Sequence, residues 1–522
     1  MTALYSIASD GVQELFQDAD SFYAALKVKV RGEWAALPES EVERLLFDDG
    51  SELLRRLLQS FVTLRGQCRP VGPVIDADGV EHTHVREDRG RPIESIFGTV
   101  RLDRIGFRGR GLSTLYPVDA DLNLPPVEFS LELERRVALG AARNSFDATG
   151  DLVQQTTRAS VAKRQVEELT RRAVIDFDEF YARREFDPHQ AADMGPLMVL
   201  TFDQKGIVMR KEDLLDATRK SAEGDSRKLQ SRHCKGEPHG RKRMATVSAV
   251  YTVDPHERSA ADIIKGLRRI RDTKRKEGPK PELKRLWASI DQSPQDVIRA
   301  AFAEALKRDP EREKRWIVLI DGDRKLERWV NRAAKEFGVT VTFGLDMIHA
   351  LQYLWKAGMA FHAEGTPALE NWVLERLERI LGGRVSDVVA GMTRSATLQE
   401  LTAERRKPVD RCALYFLRRK HMMHYDELLA IGAPVATGVI EGGCKYLVND
   451  RLDVTGARWS LLGAEAVLCI RALVTSGDFD EYWRFHEANE RHRNHDSKYL
   501  DQRLPPVVHP SRGARHLRVL KG

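Results

Sequence analysis

The stretch Pro196–Leu197–Met198–Val199–Leu200–Thr201–Phe202–Asp203 decides how this chain is read: a strand-forming apolar run that ends on a carboxylate. A second run, Trp316–Ile317–Val318–Leu319–Ile320–Asp321, has the same form. Short continuous apolar runs read as buried strands. An acid at the end of a buried strand is costly to desolvate unless something positive meets it. A third acid, Glu441, lies in Thr437–Gly438–Val439–Ile440–Glu441–Gly442–Gly443–Cys444–Lys445, which reads as the start of a helix. Three converging carboxylates suit a hard divalent cation with oxygen ligands, usually magnesium, with manganese expected to substitute. The chemistry expected of them is phosphoryl transfer on a nucleic acid.

From residue 195 to 348, strand and helix signals alternate. Strands are predicted at 196–203, about 206–210, Ala245–Val253, Ile317–Ile320 and Val339–Phe343, with helices near 260–272, 293–307 and 324–337. Three early strands, a helical stretch and two more strands is the order of a ribonuclease-H-like mixed sheet. In such a sheet the strands ending in Asp203 and Asp321 lie side by side. The first part of this core spans 188–349, a helical insertion 350–430, and the final helix with Glu441 lies within 431–480.

Upstream, residues 1–85 read as helical, with Val42, Leu45, Leu46, Leu53, Leu54, Leu57 and Leu58 at helical spacing. Residues 86–187 read as a β-hairpin, exposed and alternating over Ser95–Phe107, followed by a helix-turn-helix-like DNA-binding region. There a loop at Thr156–Thr157–Arg158 precedes a helix expected to be capped at Ser160, leaving Lys163 and Arg164 free to reach DNA. The segment 481–522, rich in Arg, His and Pro, reads as a basic, poorly ordered tail. At 522 residues the chain is too long for one ordinary domain. The fold class expected is mixed α/β and multidomain.

Composition narrows the class. With 42% hydrophobic and 31% charged residues the chain can build sizeable cores under a charged surface. No run of 18 apolar residues appears, so no membrane partner is expected. The five cysteines form no CxxC pair, which argues against a disulfide framework and fits a reducing cytoplasm. His233, Cys234 and His239 are a scrap of a zinc site without a fourth partner. Net charge is +6, but residues 227–243 and 265–285 together carry +13, leaving the remainder at −7. Such clustering beside the first carboxylate is what a phosphate-backbone groove requires, and Arg241, Lys242 and Arg243 are its expected contacts.

Several motifs together resemble bacterial insertion-sequence transposases of the DDE superfamily, close to the ISKra branch. They are Leu200–Thr201–Phe202–Asp203, Val318–Leu319–Ile320–Asp321–Gly322, Leu345–Asp346–Met347–Ile348–His349 continuing to Trp355, and Gly438–Val439–Ile440–Glu441–Gly442–Gly443–Cys444–Lys445 continuing to Arg458–Trp459. The resemblance implies that Asp203, Asp321 and Glu441 are catalytic and hold two magnesium ions. It implies cleavage at terminal inverted repeats, then attack by the freed 3′-hydroxyl on target DNA. The partners it implies are double-stranded transposon ends and target, with a homo-oligomer in the synaptic complex, nucleoid-associated in the bacterial cytoplasm. Relatives of this kind often carry cysteines near the N-terminal hairpin, whereas Gly106–Phe107–Arg108–Gly109–Arg110–Gly111 has none.

Other residues admit two readings. Asp321, the first residue after its apolar run, is favoured over Asp323. Asp346 and His349 either support the active site or merely cap and begin a helix. Lys445 either grips DNA phosphate or pairs with Glu441 for about 0.2–0.5 kcal/mol. Arg458 and Trp459 either stack on an unpaired base or belong to a core. At the level of the whole chain, the alternatives to a transposase are a domesticated DNA-binding protein without catalysis and a ribonuclease-H-like structure-specific nuclease.

Overall fold

The computed structural model describes residues 9–186, 194–223, 241–268, 278–454 and 456–508, which divide into two units. The first unit comprises residues up to Phe180 together with those from Phe479 onward; the second is Tyr181–Asp478.

The first unit opens with two helices, α1 (Ser9–Arg31) and α2 (Glu39–Gly66), then the short strand β1 (Arg69–Pro70) and the hairpin β2 (His84–Ser95) and β3 (Gly98–Arg108). Ser95 pairs with Gly98 across a two-residue turn, and Gly98 takes φ +104, which glycine adopts without steric cost. The hairpin is not exposed as its alternation predicts. Ile93, Val100 and Leu102 are buried with Val62 of α2, so its inner face is core. Helices α3 (Leu131–Arg143), α4 (Phe146–Thr156) and α5 (Lys163–Arg172) follow. Ser130 and Ser145 cap the first two, accepting from the backbone N–H groups of Leu133 and Ala148. Leu133, Val137, Val153, Val166 and Leu169 close a common core. Helix α5 starts at Lys163 with Ala162, not Ser160, at the cap position; the Gln165 side chain accepts from the Ala162 N–H instead.

The second unit holds a five-stranded sheet of order β6-β5-β4-β7-β8. Its strands are β4 (Leu197–Val208), β5 (Lys242–Val253), β6 (Glu282–Ser289), β7 (Arg315–Ile320) and β8 (Val341–Leu345). Strands β4, β5 and β6 pair antiparallel, while β7 joins β4, and β8 joins β7, in parallel. Two strand predictions are corrected. Residues 196–203 and 206–210 belong to one continuous strand, in which Gly206 lets Lys242 of β5 approach closely. The third strand, β6, lies partly inside the 265–285 basic segment. Arg285 is buried there and donates to Glu304, so it is not a groove cation.

Helices cover the sheet: α6 (Pro294–Arg308), α7 (Arg324–Phe337) and α8 (Met347–Gly358). The 350–430 region is helical as expected, over Pro367–Leu381, Val385–Leu398 and α9 (Ala403–Arg419). Glu441 lies in α10 (Gly438–Gly443), which passes without a break into a π-helical turn, Cys444–Asn449. Helix α11 (Leu461–Ser476) is separate and almost wholly apolar and buried.

The chain then returns to the first unit through α12 (Phe479–Asn494) and the strand β9 (Val507–Val508), which pairs antiparallel with β1. Residues 481–508 are therefore folded, against the expectation of a disordered tail. Their charges find partners far away in sequence: Glu490 with Arg172, and His486 and Arg493 with Asp176. Among the described residues no helix is long and apolar enough to cross a membrane.

Candidate functional site

The parallel register brings the acids together. Leu197 pairs with Arg315 and Thr201 with Leu319, so two further steps set Asp203 level with Asp321. Trp316 pairs with Val341 and Ile320 with Leu345, so one further step sets Asp321 level with Asp346. The Asp346 N–H donates to the Ile320 carbonyl at 2.9 Å, which extends that ladder to the acid itself. Asp321 and Asp346 thus stand just past the carboxyl ends of β7 and β8, level with Asp203, which lies midway along β4 where the β4–β7 pairing has ended and β4 runs on to Val208.

Each aspartate has different partners. Asp203 is half-buried and accepts from the Lys205 ammonium at 3.0 Å, the Cys444 thiol at 3.1 Å and its neighbour's backbone N–H at 2.6 Å. Asp321 accepts from the Asp323 N–H at 2.9 Å. Burial, and then repulsion from Asp203 and Asp323, lift its carboxyl above the usual range against the pull of that N–H and His349. Asp323 is exposed and its side chain accepts from the Lys325 and Leu326 N–H groups, as the cap of α7. Its carboxylate is committed to the helix, while that of Asp321 faces Asp203.

Asp346 is buried and serves both readings at once. It caps α8 through the Ile348 N–H at 3.0 Å, accepts from the Thr437 hydroxyl at 2.6 Å and N–H at 3.2 Å, and holds His349 Nδ1 at 2.9 Å. Burial works to raise its carboxyl, but these donors hold it below its ordinary value. His349 is raised by that hydrogen bond, against burial, and further by the charges of Asp346, Asp321 and Asp203. Because Thr437 immediately precedes α10, Asp346 also fixes where the helix carrying Glu441 begins.

Glu441 itself is exposed. Its helix is tied to Asp203 through Cys444, one turn further on, whose thiol is raised by burial first and then by Asp203. Among the described residues no group of three or more His, Cys, Asp or Glu side chains stands close enough to hold a metal ion. Asp203 and Asp321 therefore form the assembled part of the candidate site, and Glu441 lies on the helix that Cys444 ties to Asp203. The oxygen donors of that pair, with Asp321 short of positive partners, fit a hard divalent cation.

The remaining expected contacts divide. Lys445 is exposed 5.5 Å from the Tyr446 ring centroid and forms no ion pair with Glu441. Trp459 is buried: its indole donates to the Leu452 carbonyl at 3.1 Å, and its backbone pairs with Val208 at the end of β4 and with Arg210 just past it. That packing removes it from any base-stacking role, whereas Arg458 beside it is exposed. Lys163 is exposed but paired with Asp147 at 2.6 Å, and Arg164 is exposed in the first unit. Lys242 pairs with Asp453 at 2.9 Å; Arg243 lies 3.9 Å from Asp291, and Arg241 is half-buried at the same end of the β4–β5 hairpin. Residues 227–240 and 269–277, with His233, Cys234 and His239, lie outside the described residues.

No protein-family model matches the chain, and no curated protein matches it either. Among solved structures it is similar to the Drosophila P element transposase strand transfer complex, 8% identical, over 70% of this chain and 82% of that one. The TM-score is 0.22. A superposition at that level carries nothing about site or activity, and the residues must speak for themselves.

Several participants escape a reading of the sequence. Lys205 could have been found, because it lies two residues past Asp203 and so on the same strand face. The helical insertion gives no such signal. Yet the Tyr415 hydroxyl of α9 donates to the Asp321 carbonyl at 2.6 Å, and Arg419 donates to the Gly322 carbonyl at 2.7 Å. Gly322 takes φ +82, and a Cβ there would lie 2.5 Å from the Arg419 side chain. The insertion thus clamps the loop that presents Asp321.

Proposed function

We propose that this chain is a DNA transposase whose second unit has a ribonuclease-H-like core and cuts and rejoins phosphodiester bonds at Asp203, Asp321 and Glu441. The observation that carries the reading is the shared register that sets Asp203, midway along β4, level with Asp321 just past the end of β7. The strand order, three antiparallel strands followed by two parallel ones, supports the same reading. So does the tie between the Glu441 helix and Asp203 through Cys444.

In this reading Asp203, Asp321 and Glu441 would hold magnesium ions, with manganese able to replace them. When bound, the metal polarises the phosphate and makes water or hydroxyl nucleophilic at neutral pH. The protein side chains do the positioning. Lys205 offsets the charge of Asp203, and Asp346 fixes the ring of His349 and the start of α10. The Tyr415–Arg419 clamp holds the Asp321 loop. In the first step water forms a P–O bond and a 3′-hydroxyl leaves. In the second, a freed 3′-hydroxyl attacks a target phosphate and displaces that strand's own 3′-oxygen. Each step makes one P–O bond and breaks one, so no redox partner is needed. The partners of this reading are duplex transposon ends and target DNA, with a homo-oligomer holding two ends.

The test uses duplexes made from the DNA that flanks the gene, labelled at one strand, with magnesium or manganese. Asp203→Asn, Asp321→Asn and Glu441→Gln are each expected to abolish cleavage and strand transfer while DNA binding persists. Near wild-type cleavage by any one of them removes that residue from the site. Loss in Asp323→Asn with activity retained in Asp321→Asn moves the assignment two residues along. Cleavage without joining would assign the chain to the structure-specific nucleases instead.

A further inference from the structure

We propose that the outer face of α7 is a track for the phosphate backbone of duplex DNA, leading to the Asp203–Asp321 pair. The inference rests on the reading above and assigns a surface to its substrate. Helix α7 begins three residues after Asp321, capped by Asp323. Leu326, Val330, Ala333 and Ala334 are the buried positions of the helix, and its opposite face is turned away from them. That face carries Arg324, Lys325, Arg328, Arg332 and Lys335, all exposed. Positions 324, 328, 332 and 335 follow the three- and four-residue spacing of one helical face.

What sets this face apart from an ordinary solvated one is the fate of its acids. Glu327 is engaged by His421 at 2.7 Å, and Glu336 by Arg299 at 2.6 Å. None of the five cations forms an ion pair among the described residues. A soluble surface normally interleaves the two signs, because like charges at adjacent helical positions repel. Here the repulsion is left standing over about 16 Å, the rise from Arg324 to Lys335 at 1.5 Å per residue. A regularly spaced polyanion relieves it. One DNA strand presents a phosphate about every 3.4 Å of axis, so the face spans roughly five of them. Three of the five cations are arginines, whose planar forks grip phosphate bidentately. Lys420, exposed next to the His421 that touches Glu327, continues the positive surface.

The test compares the full-length protein with its Arg324→Gln/Arg328→Gln/Arg332→Gln triple variant by fluorescence anisotropy, on one labelled duplex and a scrambled duplex, across a salt titration. The triple variant is expected to lose about tenfold or more in affinity on both duplexes. Its dependence of log K on log salt should flatten by roughly 0.9 per phosphate contact removed. The thermal melt should stay in place, and the matching Arg→Lys triple variant should keep the wild-type slope. If the wild type binds both duplexes and the Gln variant binds them with the same affinity and slope, the track is refuted and the transposase reading stands. A wild type that binds no duplex at any salt overturns both.

Discussion

At the level of single residues, Asp346 does most to organise the candidate site. Its carboxylate takes hydrogen bonds from α8, from Thr437 ahead of the Glu441 helix, and from His349. Asp346→Ala strands those buried donors and is expected to destabilise the second unit by about 3 kcal/mol, read by chemical denaturation. The pair it makes with His349 has a pH signature of definite sign. His349 is raised, so its contribution is complete below its ordinary value of 6.5 and is lost as pH rises through the raised value. Asp346 is lowered, so its contribution is present above 3.8 and lost as pH falls through the lowered value. The melting difference between wild type and His349→Gln is therefore expected to be widest at about pH 5 to 6 and to narrow above neutrality. A difference that grows with pH would refute the assignment of the ion pair.

At the level of elements, the sheet depends on a buried charge triad that joins α6 to β6. Glu304 accepts from Arg285 at 2.8 Å and from Arg308, while Arg308 donates to the Leu283 carbonyl at 2.6 Å. Burial would raise Glu304, yet the two guanidinium groups hold it below its ordinary value. Glu304→Ala leaves two buried cations without their anion and is expected to cost about 3–5 kcal/mol, measured by denaturant unfolding. The same triad explains why β6 is illegible in the sequence. Lys284 and Arg285 read as cations of a phosphate-backbone groove, and only a glutamate from another element makes Arg285 a core residue. Strands β4 and β7 were legible because their burial is written in their own apolar runs. The two aspartates of the site were legible for the same reason, as the polar ends of those runs. Cys444 was not, since its contact is made with a residue on a strand 241 positions away. The positive face of α7 is likewise invisible as a charge run, because its cations become neighbours only when wound into a helix.

At the level of the whole molecule, the first unit is discontinuous. Its last helix and strand come from residues beyond Phe479, with the Tyr482 hydroxyl donating to the Ala173 carbonyl at 2.8 Å and β9 pairing with β1. Ending the chain after Asp478 is expected to remove Tyr482, His486 and Tyr499 from the core of that unit. Limited proteolysis should then cut rapidly within residues 9–180 while 278–454 resists. Equal resistance of both parts would show that the C-terminal segment is dispensable.

That interleaving sets a timetable for synthesis. The α1–α5 segment leaves the ribosome early, but the segment that completes it is made only after the roughly 300 residues of the second unit. At about 5–20 residues per second the wait is roughly 15–60 s. Throughout that interval the N-terminal segment is an unfinished structure in need of shelter. A message broken before the codon for Phe479 yields a chain without the helix and strand that complete its first unit.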